Sequence, residues 1–147
     1  MVEILVAVSI IAISILAAMA VTEKSVTVSR RALNTLQAAF LLEEGAEAVR
    51  ILRDNAWANI SSLSTSTTYY PTFSGTWALS TTPSTVGIFT RMVTIANVNR
   101  DGTTQDIAAS GTDDPKSKLI TVTVSWPDGA TTISKTLQFY LMDIFSP

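Results

Sequence analysis

One carboxylate stands where carboxylates are costly. Glu3 is followed by eighteen residues, Ile4 to Val21, that carry no charge and in which only Ser9 and Ser14 interrupt the apolar character. A charged group beside an apolar segment of bilayer length is expensive, so it is expected to be functional and paired. The cation within its reach is the terminal amine of an adjacent, axially staggered copy of the chain. In a low-dielectric core an unpaired partner is heavily penalised, so the pair would set the register between subunits. Simple solvation of Glu3 at the membrane interface is the plainer alternative.

The other reactive groups point away from catalysis. The chain has no cysteine and no histidine, which excludes disulfides, thiol chemistry, zinc–thiolate sites and a histidine general base. Glu43, Glu44 and Glu47 form one carboxylate group, Asp113 and Asp114 the other. Glu43 and Glu47 share a helical face, but Arg50 and Arg53 stand at spacings that make surface salt bridges the expected outcome. No nucleophile motif and no phosphate-cradling glycine loop is present, so we expect no catalytic residues, no cofactor and no enzyme. Asn97, Asn99 and Asp101, followed by Gly102, have the alternating oxygens and the glycine that open a calcium loop. The twelfth position is Ala108 where that loop needs a bidentate glutamate, so the segment reads as a turn and no metal is expected. Asn59-Ile60-Ser61 fits a glycosylation acceptor by spacing alone and reads as an unmodified polar segment.

These groups sit on a chain of uneven character. The 147 residues suit one domain. An apolar share of 47% beside 15% charged residues and a mean hydropathy of +0.34 are high, and the excess lies in the first twenty-one residues. The net charge of −2 offers no general attraction to nucleic acid or anionic lipid. Arg91, Arg100, Lys116, Lys118 and Lys135 are scattered and make no patch.

Four segments follow. Residues 1–22 form an apolar membrane or core helix; as a helix, Ile4–Val21 spans about 27 Å, enough to cross a hydrocarbon layer. No basic residue precedes the run and the helical pattern continues beyond it, which favours a retained segment over a cleaved signal peptide. Residues 23–58 form an amphipathic helix half, with Leu33, Leu36 and Phe40 and then Leu42, Ala46, Val49 and Leu52 as its apolar stripe. With no proline before Pro71 and no glycine before Gly45, the two halves are expected to form one continuous helix. At roughly 85 Å it would be too long for a compact domain of this size, so its apolar end is expected to protrude. Residues 59–86 are a Ser/Thr-rich connection with interspersed aromatics and a short strand near Thr76–Leu79. Residues 87–147 form an antiparallel sheet of about three to four strands. Ile88–Val98 is one, and Gly111 to Pro115 marks a loop after it; Ile120, Val122, Val124 and Trp126 mark a second, and Ile133, Leu137, Phe139 and Leu141 a third, joined through Pro127-Asp128-Gly129. The class is α+β, with residues 23–147 forming the head and the amphipathic half of the helix covering the sheet.

The stretch Met1-Val2-Glu3-Ile4-Leu5-Val6-Ala7-Val8-Ser9-Ile10-Ile11-Ala12-Ile13 resembles the N-terminal motif of type IV pilins and type II secretion pseudopilins. Leu41-Leu42-Glu43-Glu44-Gly45-Ala46-Glu47-Ala48-Val49-Arg50 is also similar to prepilin-like proteins of uncultivated small-genome bacteria. The resemblance implies a pilin fold and a structural subunit of an extracellular filament. It implies subunits held in the cytoplasmic membrane as single-pass proteins, processed and N-methylated by a prepilin peptidase, and extracted by an ATP-driven assembly machine. Partners would be further copies in a helical homopolymer, with Glu3 pairing to a neighbour's amine and Ile4, Leu5, Val8, Ile11 and Ile15 packing the core. In the family the glutamate is the fifth mature residue. Here it is the third, so two mature residues and a leader are expected to precede Met1. The resemblance leaves adhesion, motility, DNA uptake and secretion equally open as roles, and with them any contact to nucleic acid. The alternatives are a minor pilin or pseudopilin, or a monomeric membrane-anchored binding module.

Overall fold

The computed structural model describes residues 1–144. The chain is α+β and comprises two compact units, Met1–Gln37 and Ala38–Pro147, of which the last three residues of the 87–147 segment lie outside the described part. A single helix, α1, runs unbroken from Val2 to Asn55. Its continuity follows from local chemistry: no glycine or proline interrupts it before Gly45, and hydroxyl side chains are turned onto its own backbone. Ser9, Ser14 and Thr22 donate to the carbonyls of Leu5, Ile10 and Ala18 at 2.8, 2.8 and 2.9 Å, which leaves no stray hydroxyl donor in an apolar setting. The helix stops at the poor helix formers Asp54-Asn55. Ala56 N and Asn59 Nδ2 both donate to the Leu52 carbonyl, at 3.2 and 3.0 Å, and a single turn, α2 (Ala58–Ser61), follows.

Strands β1 (Tyr70–Phe73), β2 (Trp77–Ser80), β3 (Thr85–Val86), β4 (Phe89–Arg100), β5 (Ile107–Ala108), β6 (Thr112–Asp128) and β7 (Thr131–Met142) complete the described chain. The main sheet has the order β3-β4-β6-β7, antiparallel throughout, with β5 on the outer edge of β4. β1 and β2 form a separate hairpin. It is tied to the sheet by Tyr69 and Val93, which exchange both backbone hydrogen bonds at 2.9 and 2.7 Å. The 59–86 segment is therefore more ordered than the connection its composition suggests.

Strand alternation places Phe89, Val93 and Ile95 of β4, Ile120, Val122, Val124 and Trp126 of β6, and Leu141 of β7 on one buried face. Against them the second part of α1 lays Ala38, Leu42, Gly45, Ala46, Val49 and Leu52, spaced by about three and four residues. The helix side of the core is mostly small and the sheet side bulky, which lets helix and sheet approach closely. Gly45 shows how closely: a methyl group there would meet Val122 Cγ1 at 2.8 Å and Arg91 Cδ at 3.1 Å.

Three local features depart from the sequence reading. Leu33, Leu36 and Phe40 are all exposed and are not part of the sheet-covering stripe, whose first buried residue is Ala38; Phe40 lies on the other side of α1 from Ala38 and Leu42. Pro127 is paired with Thr132 inside the ladder. The β6–β7 turn is the pair Gly129-Ala130, with Gly129 at φ +65°, where a two-residue hairpin favours glycine. The loop expected at Gly111–Pro115 is instead absorbed into β6 as a bulge: between Asn97↔Lys118 and Asn99↔Asp113, Val98 alone opposes Asp114–Ser117. Pro115 is tolerated because no ladder bond is made there.

Candidate functional site

Glu3 lies in the first turn of α1. At about 100° per residue, Ile4, Val8, Ile11 and Ile15 fall on one face, with Leu5 and Glu3 about a quarter turn away on opposite sides. The helix thus brings four of the six candidate assembly residues into one stripe. Each of the five apolar ones is exposed, from Leu5 at 71% to Ile15 at 54%. An eighteen-residue window with mean hydropathy 2.9 and no buried residue makes α1 long and apolar enough to cross a membrane. In water such a surface carries a large burial drive, about 25 cal/mol for each Å² covered.

In the second unit Glu44, Glu47, Asp54 and Asp114 are paired with arginines. Glu47 pairs with Arg50 at 3.3 Å on the same helix, and Arg50 stacks over the Phe139 ring at 5.1 Å. Arg53 pairs with its neighbour Asp54 at 2.7 Å. Glu44 reaches across to Arg91 of β4 at 2.8 Å. Arg91 is 5% exposed, sits 5.4 Å from the Trp77 ring centre and donates from Nη2 to the Pro71 carbonyl at 3.4 Å. The Glu44 contact is an ion pair without hydrogen-bond geometry, and Nε has no acceptor among the described residues. Arg91 therefore holds α1, the β1–β2 hairpin and β4 together. Scattered in sequence, it was legible only through its phase: it occupies an inward position between Phe89 and Val93.

The side-chain oxygens Asn97 Oδ1 and Asp101 Oδ1 are each engaged within the chain. Asn97 Oδ1 accepts from Lys118 Nζ at 2.6 Å, and Asn99 is a ladder residue opposite Asp113 and Ala108. Asp101 Oδ1 accepts from the backbone N–H groups of Thr103 and Thr104 at 2.7 and 2.9 Å. These backbone donors, Thr104 first, hold the Asp101 carboxyl below its usual range. The left-handed residue of this turn is Gln105, at φ +63°, and not Gly102. Among the described residues no group of three or more acidic side chains is placed to hold a metal ion.

Asp114 anchors the bulge. Its Oδ2 accepts from Ser117 Oγ at 2.7 Å and from Arg100 Nε at 2.6 Å, and Oδ1 from Lys116 N at 2.9 Å. The Ser117 hydroxyl first, then Arg100, hold the Asp114 carboxyl below the ordinary carboxylate range. Arg100 also donates to the Gln105 carbonyl at 2.9 Å, which ties the β4–β5 loop to the bulge. The carboxylate's acceptor sites are spent on structure.

No family model, curated protein or solved structure matches this chain.

Proposed function

We propose that the chain is a structural subunit of a type IV pilus-like filament, polymerising through the first part of α1. The observation that carries this reading is the uncovered apolar helix with Glu3 at its head, continuous with a helix that elsewhere serves as the support of a sheet. Before assembly the apolar run holds the subunit in the cytoplasmic membrane, where a prepilin peptidase and the assembly machine act on it. On assembly Ile4, Val8, Ile11 and Ile15 exchange lipid for the same residues of neighbouring copies, and Glu3 meets a neighbour's terminal amine. The pair carries no net charge, so the carboxylate enters the core as half of a dipole and not as a bare ion. The head then lies outside the cell, and its role is structural rather than catalytic.

The test is Glu3→Ala and Glu3→Gln in cells that express the chain, with electron microscopy of sheared material. Loss of fibres, with the subunit retained in the membrane fraction, is the expected result. Fibres at normal abundance in both variants would sink the reading and favour a membrane-anchored monomer, in which Glu3 affects topology alone.

A further inference from the structure

We propose that the sheet face turned away from α1 carries a binding site for a neutral, hydroxyl-bearing ring, a single sugar unit, held by Asn97, Asn99 and Tyr140 over an apolar floor. The site is independent of the filament reading. Sugar binding and fibre formation are separate measurements, and the failure of one leaves the other standing.

A cavity of about 370 Å³ lies at the end of the sheet where β5 borders β4. Leu119 and Tyr140 are cross-strand partners that alternate with Ile120 and Leu141, and those two lie in the core with α1. Leu119 and Tyr140 therefore face the other way. Val98, 3% exposed, and the half-buried Leu119 form the floor, Ile107 and Ala108 of β5 a wall, and Tyr140, 47% exposed, the rim.

The bulge assembles the polar groups. Consecutive residues of a regular strand face opposite sides, yet Asn97, Val98 and Asn99 all line this cavity. The register shift between Asn97 and Asn99 breaks the alternation and re-aims these side chains, as bulges beside binding sites do. Lys118 is 7% exposed, and its Nζ donates to Asn97 Oδ1 at 2.6 Å. An ammonium only donates, so it meets the oxygen end of the amide and leaves both Nδ2–H donors without a partner among the described residues. The Asn99 side chain and the Tyr140 hydroxyl also make no hydrogen bond among the described residues, and each can both donate and accept. The β5 wall is already held: Arg100 donates to the Gln105 carbonyl and Asp101 N to the Asp106 carbonyl, both at 2.9 Å. Binding thus orders little new backbone.

The lining selects the ligand class. No acidic or basic side chain lines the cavity, so nothing there neutralises a phosphate or carboxylate or attracts a cation. A nucleic acid would bring phosphates for which no cation is placed. A wholly apolar ligand would strip water from two amides and a hydroxyl without replacing their hydrogen bonds. A sugar ring meets both conditions, with C–H faces for Leu119 and the Tyr140 ring and hydroxyls for the amides. The volume suits one ring rather than a long chain.

The test titrates the full chain, in a detergent without a sugar headgroup, with glucose, galactose, mannose and N-acetylglucosamine, read by saturation-transfer NMR on the sugar protons. At least one is expected to bind saturably in the millimolar range, as a small ring with few hydrogen bonds does. Asn99→Ala and Tyr140→Ala are each expected to weaken that binding several-fold, and Tyr140→Phe less than Tyr140→Ala because the ring is kept. Thr123→Ala, on the same face but outside the cavity, is expected to bind as the parent chain does, and unchanged denaturation midpoints show that the variants are folded. Absence of saturable binding by all four sugars overturns the proposal. So does binding that survives both Asn99→Ala and Tyr140→Ala, or a loss at Thr123→Ala as large as theirs. Cyclohexanol binding more tightly than every sugar would assign the cavity to apolar ligands and overturns it as well.

Discussion

Two parts of α1 share one backbone geometry and treat their side chains in opposite ways. In residues 2–37 the large aliphatic side chains, Ile11, Ile15, Leu33 and Leu36 among them, are exposed. In residues 38–55 the fully buried positions are mostly small: Ala38, Gly45, Ala46 and Ala48, with Val49 the largest. Hydrophobicity alone would rank them the other way. The difference shows that burial is set by what lies opposite, because a helix seated on a sheet of Val, Ile and Trp side chains needs a thin face to bring the layers together. Among the described residues the large exposed side chains of the first part have no such partner, and an apolar surface of this extent is the mark of an interaction site.

The sharpest way to break this contrast is to delete bulk on each side of it. Ile120→Ala removes a fully buried side chain beneath the helix and is expected to destabilise the head by about 3 kcal/mol, read by chemical denaturation of the full chain in detergent. Gly45→Ala tests the close approach itself. Its methyl must displace Val122 or Arg91, at an expected cost of about 1–3 kcal/mol despite the better helix propensity of alanine; a gain in stability would show that helix and sheet yield easily. Glu44→Gln leaves the buried Arg91 without its counter-charge, and because Glu44 is half exposed, water limits the loss to about 1 kcal/mol. Proteolysis within the β1–β2 hairpin should report it, since Arg91 holds that hairpin through Pro71 and Trp77.

A pH titration sharpens the picture of the sheet's far end. The Asp114 carboxyl titrates lower in the folded chain than in the unfolded one. Its contribution is therefore present above the unfolded value near 3.8 and lost as pH falls through the lowered folded value. Denaturation midpoints should decline below about pH 4, and Asp114→Asn should flatten that decline; an unaltered slope would show that the bulge does not depend on the carboxylate. The smallest effect belongs to the first unit. Ile11→Ala is expected to change head stability by less than about 0.5 kcal/mol while it reduces filament yield, and a large loss of head stability would contradict the contrast drawn here.

Much of this fold was legible in local pattern. The unbroken helix follows from the lack of proline and glycine before Gly45. β4, β6 and β7 follow from alternation at Ile88–Val98, Ile120–Trp126 and Ile133–Leu141, where the period-two signal is strong. Of the β1–β2 hairpin only β2 was, as the short strand expected near Thr76–Leu79; β1 and the pairing were not, because the strands are four residues each and lie in Ser/Thr-rich sequence with little alternation. The bulge at Asp114–Ser117 depends on a side-chain network that spans β4 and β6, which no window of neighbouring residues contains. Of the assembly candidates, Glu3 and the apolar run were visible as composition, whereas Ile4, Leu5, Val8, Ile11 and Ile15 were named through the resemblance, and the helix puts four of them on one face.

What the amino-acid order determined by itself is what a few consecutive residues can decide: a helix where straight-chain and small residues continue without a breaker, strands where side chains alternate, a turn at Gly129, and a carboxylate beside an apolar run. Tertiary structure alone decided where the cover of α1 begins. Leu33, Leu36 and Phe40 carry the same hydrophobic signal as Leu42, Val49 and Leu52, yet they are exposed, and burial on the sheet starts at Ala38. Only the position of the sheet separates the two sets, and that position is set by long-range pairing and close packing rather than by any local preference.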